Sequence, residues 1–459
     1  MKNFLVKIVS KSKPSSELWR DKAFLIHADK RLIEIFIPNP EKISDYELTK
    51  RVSEFIWSDL DLKEIELDLG SSLSKEQQTL VYETILLKAY KFNKYKTKDK
   101  AQCLTKIKLI NQAKFSHLDK ILNSVNFCRD IISANADEVN PAYLESLAES
   151  IVKKCPGMSI KVISANEAKK MGMGCLMAVG AESFINGDPE SHPRLVILEY
   201  TPENIVNEKS KESHLAIVGK GISFDTGGLC LKPNNYMLDM KSDMSGAATV
   251  LSLFHLIAEL SLNERKKIKH KLTGVMALAE NAFGGASYKP GDVLKALNGK
   301  TVEVVDTDAE GRLVLADALS YLSKLKSKPS HVIDLATLTG SMVATLGEAA
   351  AGAMTNDETF FNSVQAAFGS AREKLWLVPL LDEYKKKVDS DIADLAHCSS
   401  RPDAIIAGHF LSNFIPKDSK WVHLDIAGVA FIENDGLLSC KGATGFGVRG
   451  LYRLIQTEY

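Results

Sequence analysis

From residue 194 onward, short apolar runs alternate with longer stretches of helical periodicity, and this alternation constrains the fold more than any other feature of the chain. Strand-like runs at 194–199, 215–219, 273–279 and 302–305 are separated by helical patterns that open near Gly246 and Arg312. Strands that alternate with helices build a largely parallel sheet covered on both faces. Residues 1–125 read differently. They are lysine-rich, with strand-like runs at 4–9, 31–37 and 64–69 and helical patterns at 45–57 and 75–89. A lysine cluster at 90–108 predicts a surface loop, and a helical pattern at 118–134 bridges the two regions. The expected architecture is α/β with two domains. One is a small mixed α/β N-terminal domain at 1–125; the other, at 126–459, has a central, largely parallel sheet flanked by helices. A chain of 459 residues is long enough for both and for a large core.

The chemistry concentrates at one strand-to-helix junction. Residues 305–315 read V-D-T-D-A-E-G-R-L-V-L, after a β-branched run at 301–305. In extended backbone Asp308 and Glu310 point to the same side, and Asp306 can join them. Gly311 reads as the residue of a sharp turn, and Arg312 as the opening of an apolar helix. Ligands of α/β folds gather at the carboxyl ends of strands. Carboxylates crowded there repel one another unless a cation joins them, and a hard or borderline divalent metal is the natural one. Two further segments add to the set. Residues 220–232, K-G-I-S-F-D-T-G-G-L-C-L-K, follow an apolar strand, and residues 240–248, M-K-S-D-M-S-G-A-A, lead into an apolar helix. Asp225, Asp243, Asp308 and Glu310 are too many carboxylates for a single zinc that keeps a position open for water. They suit two metals that share bridging carboxylates, as in two-metal hydrolases.

Each of these residues also has a plainer meaning. Asp308 and Glu310 are acids at a helix N-terminus, where the macrodipole favours them. Lys220, between Gly219 and Gly221, resembles a phosphate-binding lysine, but His214 stands where a Walker loop needs its first glycine. Gly227 and Gly228 suit a tight turn. Lys232 reads equally as a solvated surface lysine, and Arg312 as a simple ion-pair partner of Asp308 or Glu310. His423, near Asp425 on an apolar strand, reads as a core histidine. No H-E-x-x-H and no G-x-S-x-G occurs, which argues against a zincin and against a serine-hydrolase elbow.

Composition is that of an ordinary globular protein, with 45% apolar and 25% charged residues and a formal net charge of zero. Neutrality gives no general pull toward nucleic acid or acidic membranes, although the lysine-rich N-terminal region leaves DNA binding open. The seven cysteines form no C-x-x-C and suit a reducing compartment. The first ten residues are too short and interrupted for a signal peptide, and no run has the length of a membrane helix. A cytoplasmic location is expected.

The motifs also carry a resemblance. The run D-T-D-A-E-G-R-L is similar to the signature N-T-D-A-E-G-R-L of the cytosolic leucyl aminopeptidase family, a family of two-metal exopeptidases. Further blocks follow in the family's order: G-M-G-C-L-M-A-V-G at 172–180, E-N at 280–281, Y-K-P-G-D-V at 288–293, D-L-A-T-L-T-G at 334–340, S-D-I-A-D-L at 390–395, H-L-D-I-A-G at 423–428 and G-A-T-G-F-G at 442–447. The resemblance covers residues 127–459, which makes the larger region the catalytic domain. It implies that Asp225, Asp308 and Glu310 bind one metal and that Lys220, Asp225, Asp243 and Glu310 bind the other. The metals would be Zn²⁺ or Mn²⁺, with Co²⁺ or Mg²⁺ also admissible at the exchangeable site. It implies that Lys232 stabilises the oxyanion and that Arg312 holds a bicarbonate acting as general base. It implies a pocket for the N-terminal side chain lined by Met240, Thr337, Leu338, Gly340 and residues 427–430, including Ala427 and Ala430. Peptides with leucine or similar apolar N-termini are the implied substrates, and a homohexamer the implied assembly. Three positions depart from the family pattern: Asp306 for the signature Asn, Ser245 for Gly and Ser341 for Ala. None removes a ligand. A two-metal phosphoesterase fits less well, because lysine ligation belongs to the peptidase pattern. A binding protein on the same scaffold, of the kind that binds DNA among bacterial relatives, is the alternative of a different class.

Overall fold

A computed structural model describes residues 4–9, 24–27, 30–37, 39–55, 64–97, 106–110, 115–202, 213–457 and 459. The end of the helical pattern at 45–57 and part of the loop at 90–108 lie outside these residues. The chain forms two compact units, Met1–Asn126 with Ile432–Thr444, and Phe127–Phe431 with Gly445–Tyr459. The helix Ser116–Ser133 runs across the division in the sequence.

The first unit is built on a five-stranded sheet of β1 (Phe4–Val9), β2 (Phe24–His27), β3 (Leu32–Phe36), β4 (Glu64–Asp68) and β5 (Lys106–Leu109), in the order β2-β3-β1-β4-β5. Only the β2–β3 pair is antiparallel. Val6, Ile8, Ile33, Ile35, Ile65 and Leu67 are buried while charged residues alternate with them, the period expected of a sheet with one wetter face. The helix Lys75–Lys88 starts at a capping box between Ser74 and Gln77. Its last residue, Lys88, is buried and donates to the carbonyls of Gly436 and Ser439, each at 3.1 Å, which ties the 432–444 segment to this unit.

The second unit holds eleven of its strands in two sheets. In chain order they are β6 (Met158–Ile163), β7 (Arg194–Tyr200), β8 (His214–Asp225), β9 (Lys271–Asn281), β10 (Val293–Lys295), β11 (Thr301–Glu303), β12 (His331–Ala336), β13 (Ala351–Thr355), β14 (Leu375–Leu377), β15 (Leu395–Ala396) and β16 (Lys420–Asp425). The main sheet has eight strands in the order β14-β13-β16-β12-β8-β9-β7-β6. Its middle four, β16, β12, β8 and β9, are parallel. The expected α/β architecture, with a small mixed domain and a larger, mostly parallel sheet, is the one observed. One element differs. The strand before the acidic run, β11, pairs with β10 and β15 in a separate small sheet and is not a member of the main one. Apolar periodicity identifies a strand but not its partners.

The position of β8 decides where a ligand can bind. From β8 the chain goes to β9 on one side, then returns to β12 on the other, so β8 lies at a topological switch point. The crevice beyond its carboxyl end is where open parallel sheets place ligands. The helix Ser245–Glu259 packs on one face of β8, β9 and β12. Glycines make that approach close: a Cβ added to Gly219 would lie 2.5 Å from the Gly246 carbonyl oxygen. On the other face, Ala216, Val218, Ile222, Val275, Ala277 and Ala279 join Leu313, Val314 and Leu319 of the helix Glu310–Tyr321 in one core cluster.

Asp317 fixes the second helix. Its Oδ2 accepts the Leu176 N–H at 2.8 Å and its Oδ1 the Leu297 N–H at 2.7 Å, all with no solvent exposure of the carboxyl-bearing residue. Asp317→Ala leaves one buried and one part-buried donor without acceptors and should lower stability by about 2–5 kcal/mol. A denaturant midpoint equal to that of the unaltered chain would show that this anchor is dispensable.

Candidate active site and metal centre

The acidic cluster is assembled from loops at the carboxyl ends of β8 and β12 and from the start of one helix. Asp225 is the last residue of β8. The turn after it uses Gly227 at φ +86° and Gly228 at φ +61°, backbone that glycine adopts without steric cost. Asp225 Oδ1 accepts the Gly227 N–H at 2.9 Å and Asn281 Nδ2–H at 2.7 Å, Asn281 being the last residue of the neighbouring strand β9. Asp243 ends a single helical turn just before the helix Ser245–Glu259. Glu310 is the first residue of its helix, where the N-terminal dipole favours a carboxylate. Asp308 sits in the turn before it, and its N–H is held by Asp306 Oδ1 at 2.9 Å. Asp308 and Glu310 therefore meet through a turn, not through the side-chain alternation of a strand. Carboxylate oxygens of Asp225, Asp308 and Glu310 all lie within 4.8 Å of one another.

Two lysines interlace the acids. Lys220, in the middle of the buried strand β8, reaches Asp243 Oδ1 at 2.7 Å, Glu310 Oε1 at 2.8 Å and the Thr337 carbonyl at 2.9 Å. Its space comes from Gly311, where an added Cβ would lie 2.5 Å from Lys220 Cε. Gly311 thus serves as packing room within a helix, and not as the sharp turn its place in the sequence suggests. Lys232 bonds to Asp225 Oδ2 at 2.8 Å and also contacts Asp308. Burial works against the charge of both lysines, but the surrounding carboxylates outweigh it and hold both ammonium groups above their ordinary range. The acids are pushed the other way. Burial and the charge of Asp225 raise Asp308 to about 7, and the same causes raise Glu310. Burial raises Asp243 well above the carboxylate range, with Lys220 opposing and Glu310 and Asp225 adding to the rise.

This donor set fits a metal. Three carboxylates converge, the set is rich in oxygen, and Asp243 Oδ2 is buried without a hydrogen-bond partner among the described residues. Lone oxygen acceptors aimed into a crowded acidic site call for a cation. Thr337 closes the far side, donating its hydroxyl to Asp243 Oδ1 at 2.7 Å. The residues after it are held by Asp425, the buried last residue of β16. Asp425 accepts from Thr339 Oγ1 at 2.7 Å, from the Leu338 N–H at 3.2 Å and from the Ala427 N–H at 3.1 Å.

The catalytic-domain model of the cytosol aminopeptidase family matches residues 126–452. The chain belongs to this family. A probable cytosol aminopeptidase of Protochlamydia amoebophila (strain UWE25) is 38% identical over 390 residues, covering 82% of this chain and 74% of the relative. One of Chlamydia caviae is 41% identical over 344 residues, covering 74% of this chain and 65% of that relative. Among solved structures, the bottromycin maturation enzyme BotP in complex with Mn superposes with a TM-score of 0.82 at 26% identity, over 99% of each chain.

Within this cytosol aminopeptidase fold the residues singled out in the sequence fall into two groups. Lys220, Asp225, Lys232, Asp243, Asp308 and Glu310 come together with Thr337. Met240 stands next to them, its carbonyl accepting the Asp243 N–H at 3.2 Å. Leu338 and Ala427 are partly exposed, Gly340 is exposed and Ala430 is buried. Arg312 is held elsewhere. Its Nη2 donates to Asp403 Oδ1 at 2.8 Å and its Nη1 to the His397 carbonyl at 3.1 Å, so its partner is neither Asp308 nor Glu310. His423 is fully buried in the sheet, with Nδ1 2.6 Å from Asp334 Oδ1. Ser245 is accommodated by donating its hydroxyl to the Ser242 carbonyl at 2.5 Å. Sequence reasoning gave no role to Asn281, Thr307, Tyr288, Asp403 or Asp425. Thr307 accepts the Cys230 N–H at 2.8 Å and donates to the Gly227 carbonyl at 2.6 Å, which pins the Lys232 loop. Tyr288 and Asn281 both donate to the Thr307 carbonyl. The available signal was membership of the motif blocks for Asn281, Tyr288, Thr307 and Asp425 and, for Asn281 and Asp425, a polar residue ending an apolar strand.

Among the described residues no helix is long and apolar enough to cross a membrane.

Proposed function

We propose that this chain is a two-metal aminopeptidase of the cytoplasm that hydrolyses the first peptide bond of peptides and releases leucine and other mainly apolar N-terminal residues. The observation that carries the reading is the convergence of Asp225, Asp308 and Glu310 beside Asp243 with its unpartnered oxygen. Asp225, Asp308 and Glu310 would hold one divalent ion, and Lys220, Asp225, Asp243 and Glu310 the other, with Zn²⁺ or Mn²⁺ as the leading candidates and Co²⁺ or Mg²⁺ at the exchangeable position. When bound, such ions supply an activated water, polarise the scissile carbonyl and hold the free terminal amine. Lys220 can serve as a ligand only after losing its proton, which nearby dications favour.

The chain's own groups do the rest. Lys232 places a positive charge beside the cluster, where a tetrahedral intermediate turns negative. Thr337 holds Asp243 and Lys220 in place. Leu338 and Ala427, anchored by Asp425, with Met240 and Gly340 make an uncharged surface for the N-terminal side chain. A leucine side chain gains roughly 1.5–3 kcal/mol on full burial, while a charged one loses hydration without a partner.

Chelator-treated protein reloaded separately with Zn²⁺, Mn²⁺ and Co²⁺ should cleave a leucyl reporter and leave its N-acetylated form intact. Leucyl and methionyl substrates should be cut much faster than aspartyl or glutamyl ones. Cleavage of the acetylated reporter, or none with any metal, would overturn the assignment. Lys232→Ala should retain bound metal and lose about 10²–10³-fold in kcat. Normal turnover in that variant would remove its oxyanion role. We further propose a homohexamer, which light scattering would report as a mass near six chains; a fully active monomer would exclude it.

A further inference from the structure

Asp308 reaches the cluster from a turn, and that turn is held on two sides. Thr307 ties one side to the loop after β8. The other side rests on His397, a fully buried residue that directly follows β15. β15 runs parallel to β11, with Ala396 opposite Glu303. The His397 N–H donates to the Glu303 carbonyl at 3.2 Å and continues that pairing by one residue. Its imidazole then spans the end of β11 and the acidic turn. Nδ1 lies 3.2 Å from the Val305 nitrogen and 3.0 Å from the Glu303 carbonyl oxygen, and Nε2 lies 2.8 Å from the Asp306 carbonyl oxygen.

These contacts select one form of the ring. Burial and the charge of Arg312 push the imidazole down to about 4, so at neutral pH it carries a single ring proton. A proton on Nδ1 would face the Val305 N–H and turn the Nε2 lone pair toward the Asp306 oxygen. A proton on Nε2 satisfies both neighbours: Nε2–H donates to the Asp306 carbonyl, and Nδ1 accepts the Val305 N–H. The Asp306 carbonyl also accepts the Ala309 N–H at 3.2 Å, which closes the turn around Asp308.

We propose that His397 is a positioning residue for Asp308, whose carboxylate it places in the metal-binding cluster by holding the turn from Asp306 to Ala309. The inference rests on the two-metal reading for which ion is affected. Asp308 belongs to only one of the two proposed ligand sets, so loss of the imidazole should fall on one ion and spare the other. The backbone carbonyl of His397, which accepts from Arg312 Nη1, survives a side-chain substitution.

The test uses the full-length chain, stripped of metal by a chelator and titrated with Mn²⁺ alone by calorimetry. An asparagine amide falls near the Nδ1 position of a histidine, and a glutamine amide near Nε2. His397→Gln therefore keeps a donor for Asp306, and His397→Asn does not. The unaltered chain should bind two ions. His397→Asn should hold one of them as before and the other about 10–100-fold more weakly, the loss usual when a group that orients a ligand is removed. His397→Gln should bind both nearly as the unaltered chain does. Native affinity for both ions in His397→Asn, or equal weakening of both, would overturn the proposal. So would a His397→Gln protein as impaired as His397→Asn. If His397→Asn does not fold, the ring itself decides. In the unaltered, metal-free protein labelled with ¹⁵N-histidine, NMR shifts should report a neutral ring with its proton on Nε2, the signal being identified by its absence from His397→Gln. A proton on Nδ1 would remove the bond to Asp306 and the proposal with it. A single ion in the unaltered chain would end the two-metal reading, while the ring measurement would still decide the His397 anchor.

Discussion

Glu310→Ala should abolish metal-dependent hydrolysis and lower bound metal to below one ion per chain, because Glu310 is the acid that faces both halves of the cluster. It lies in the same oxygen cage as Asp225 and Asp308, and it also pairs with Lys220 at 2.8 Å. Removing it takes a carboxylate from each proposed metal and leaves the buried Lys220 with Asp243 and the Thr337 carbonyl. A loss of at least about 10³-fold in kcat/KM is expected, more than a single oxyanion donor contributes. Asp308→Ala should follow it in activity with a smaller structural cost, since Asp308 is partly exposed. Metal content by atomic emission and turnover on the leucyl reporter check both. A Glu310→Ala protein with full metal content and normal rate would sink the two-metal assignment.

The second large effect is structural. Gly246→Val should prevent the second unit from reaching its native packing, or lower its stability by about 3 kcal/mol or more. The first side-chain carbon would fall inside van der Waals contact of the Leu335 carbonyl oxygen and 2.9 Å from the Lys220 amide nitrogen. Both are backbone atoms of central strands, so no rotamer change relieves the overlap. The start of the helix Ser245–Glu259 would have to lift off the sheet and take Asp243 with it. Thermal unfolding and metal content should therefore fall together. Full stability with unaltered metal content would show that the helix has slack the packing does not suggest.

How much of this was legible in advance depends on how local each signal is. Asp308, Glu310, Asp225 and Asp243 were legible because acids just after strands or just before helices in an α/β pattern have few other uses in such numbers. The alternation of strands and helices gave the layered architecture. The assignment of 302–305 to the main sheet failed because apolar content marks burial and not the neighbour: β11 is buried at Val302 but pairs with β10 and β15. Gly311 was read as a turn because glycine most often signals backbone freedom; its actual use, room for the Lys220 side chain, is a tertiary fact. The plainer reading of Arg312 paired it with the acids beside it in sequence, whereas the structure brings it Asp403 from a distant helix start. Asn281, Thr307 and Asp425 share this property, since each acts by hydrogen bonds to segments far away in the chain.

The switch-point position of β8 has a consequence for how the protein comes into being. Its two sheet neighbours are β9, reached by a helical crossover, and β12, which the chain makes only after β10, β11 and the helix Glu310–Tyr321. Parallel pairings of such sequence separation form slowly, because long loops must close before the contacts reward them. Asp225, Glu310 and Thr337 cannot meet until β12 has docked against β8. A chain emerging from the ribosome therefore carries every acid of the cluster well before it carries a cluster, and a partly folded intermediate has no hydrolytic centre with which to attack its neighbours. On the proposed metal reading, the onset of metal binding during refolding would be a clock for the closure of the central sheet.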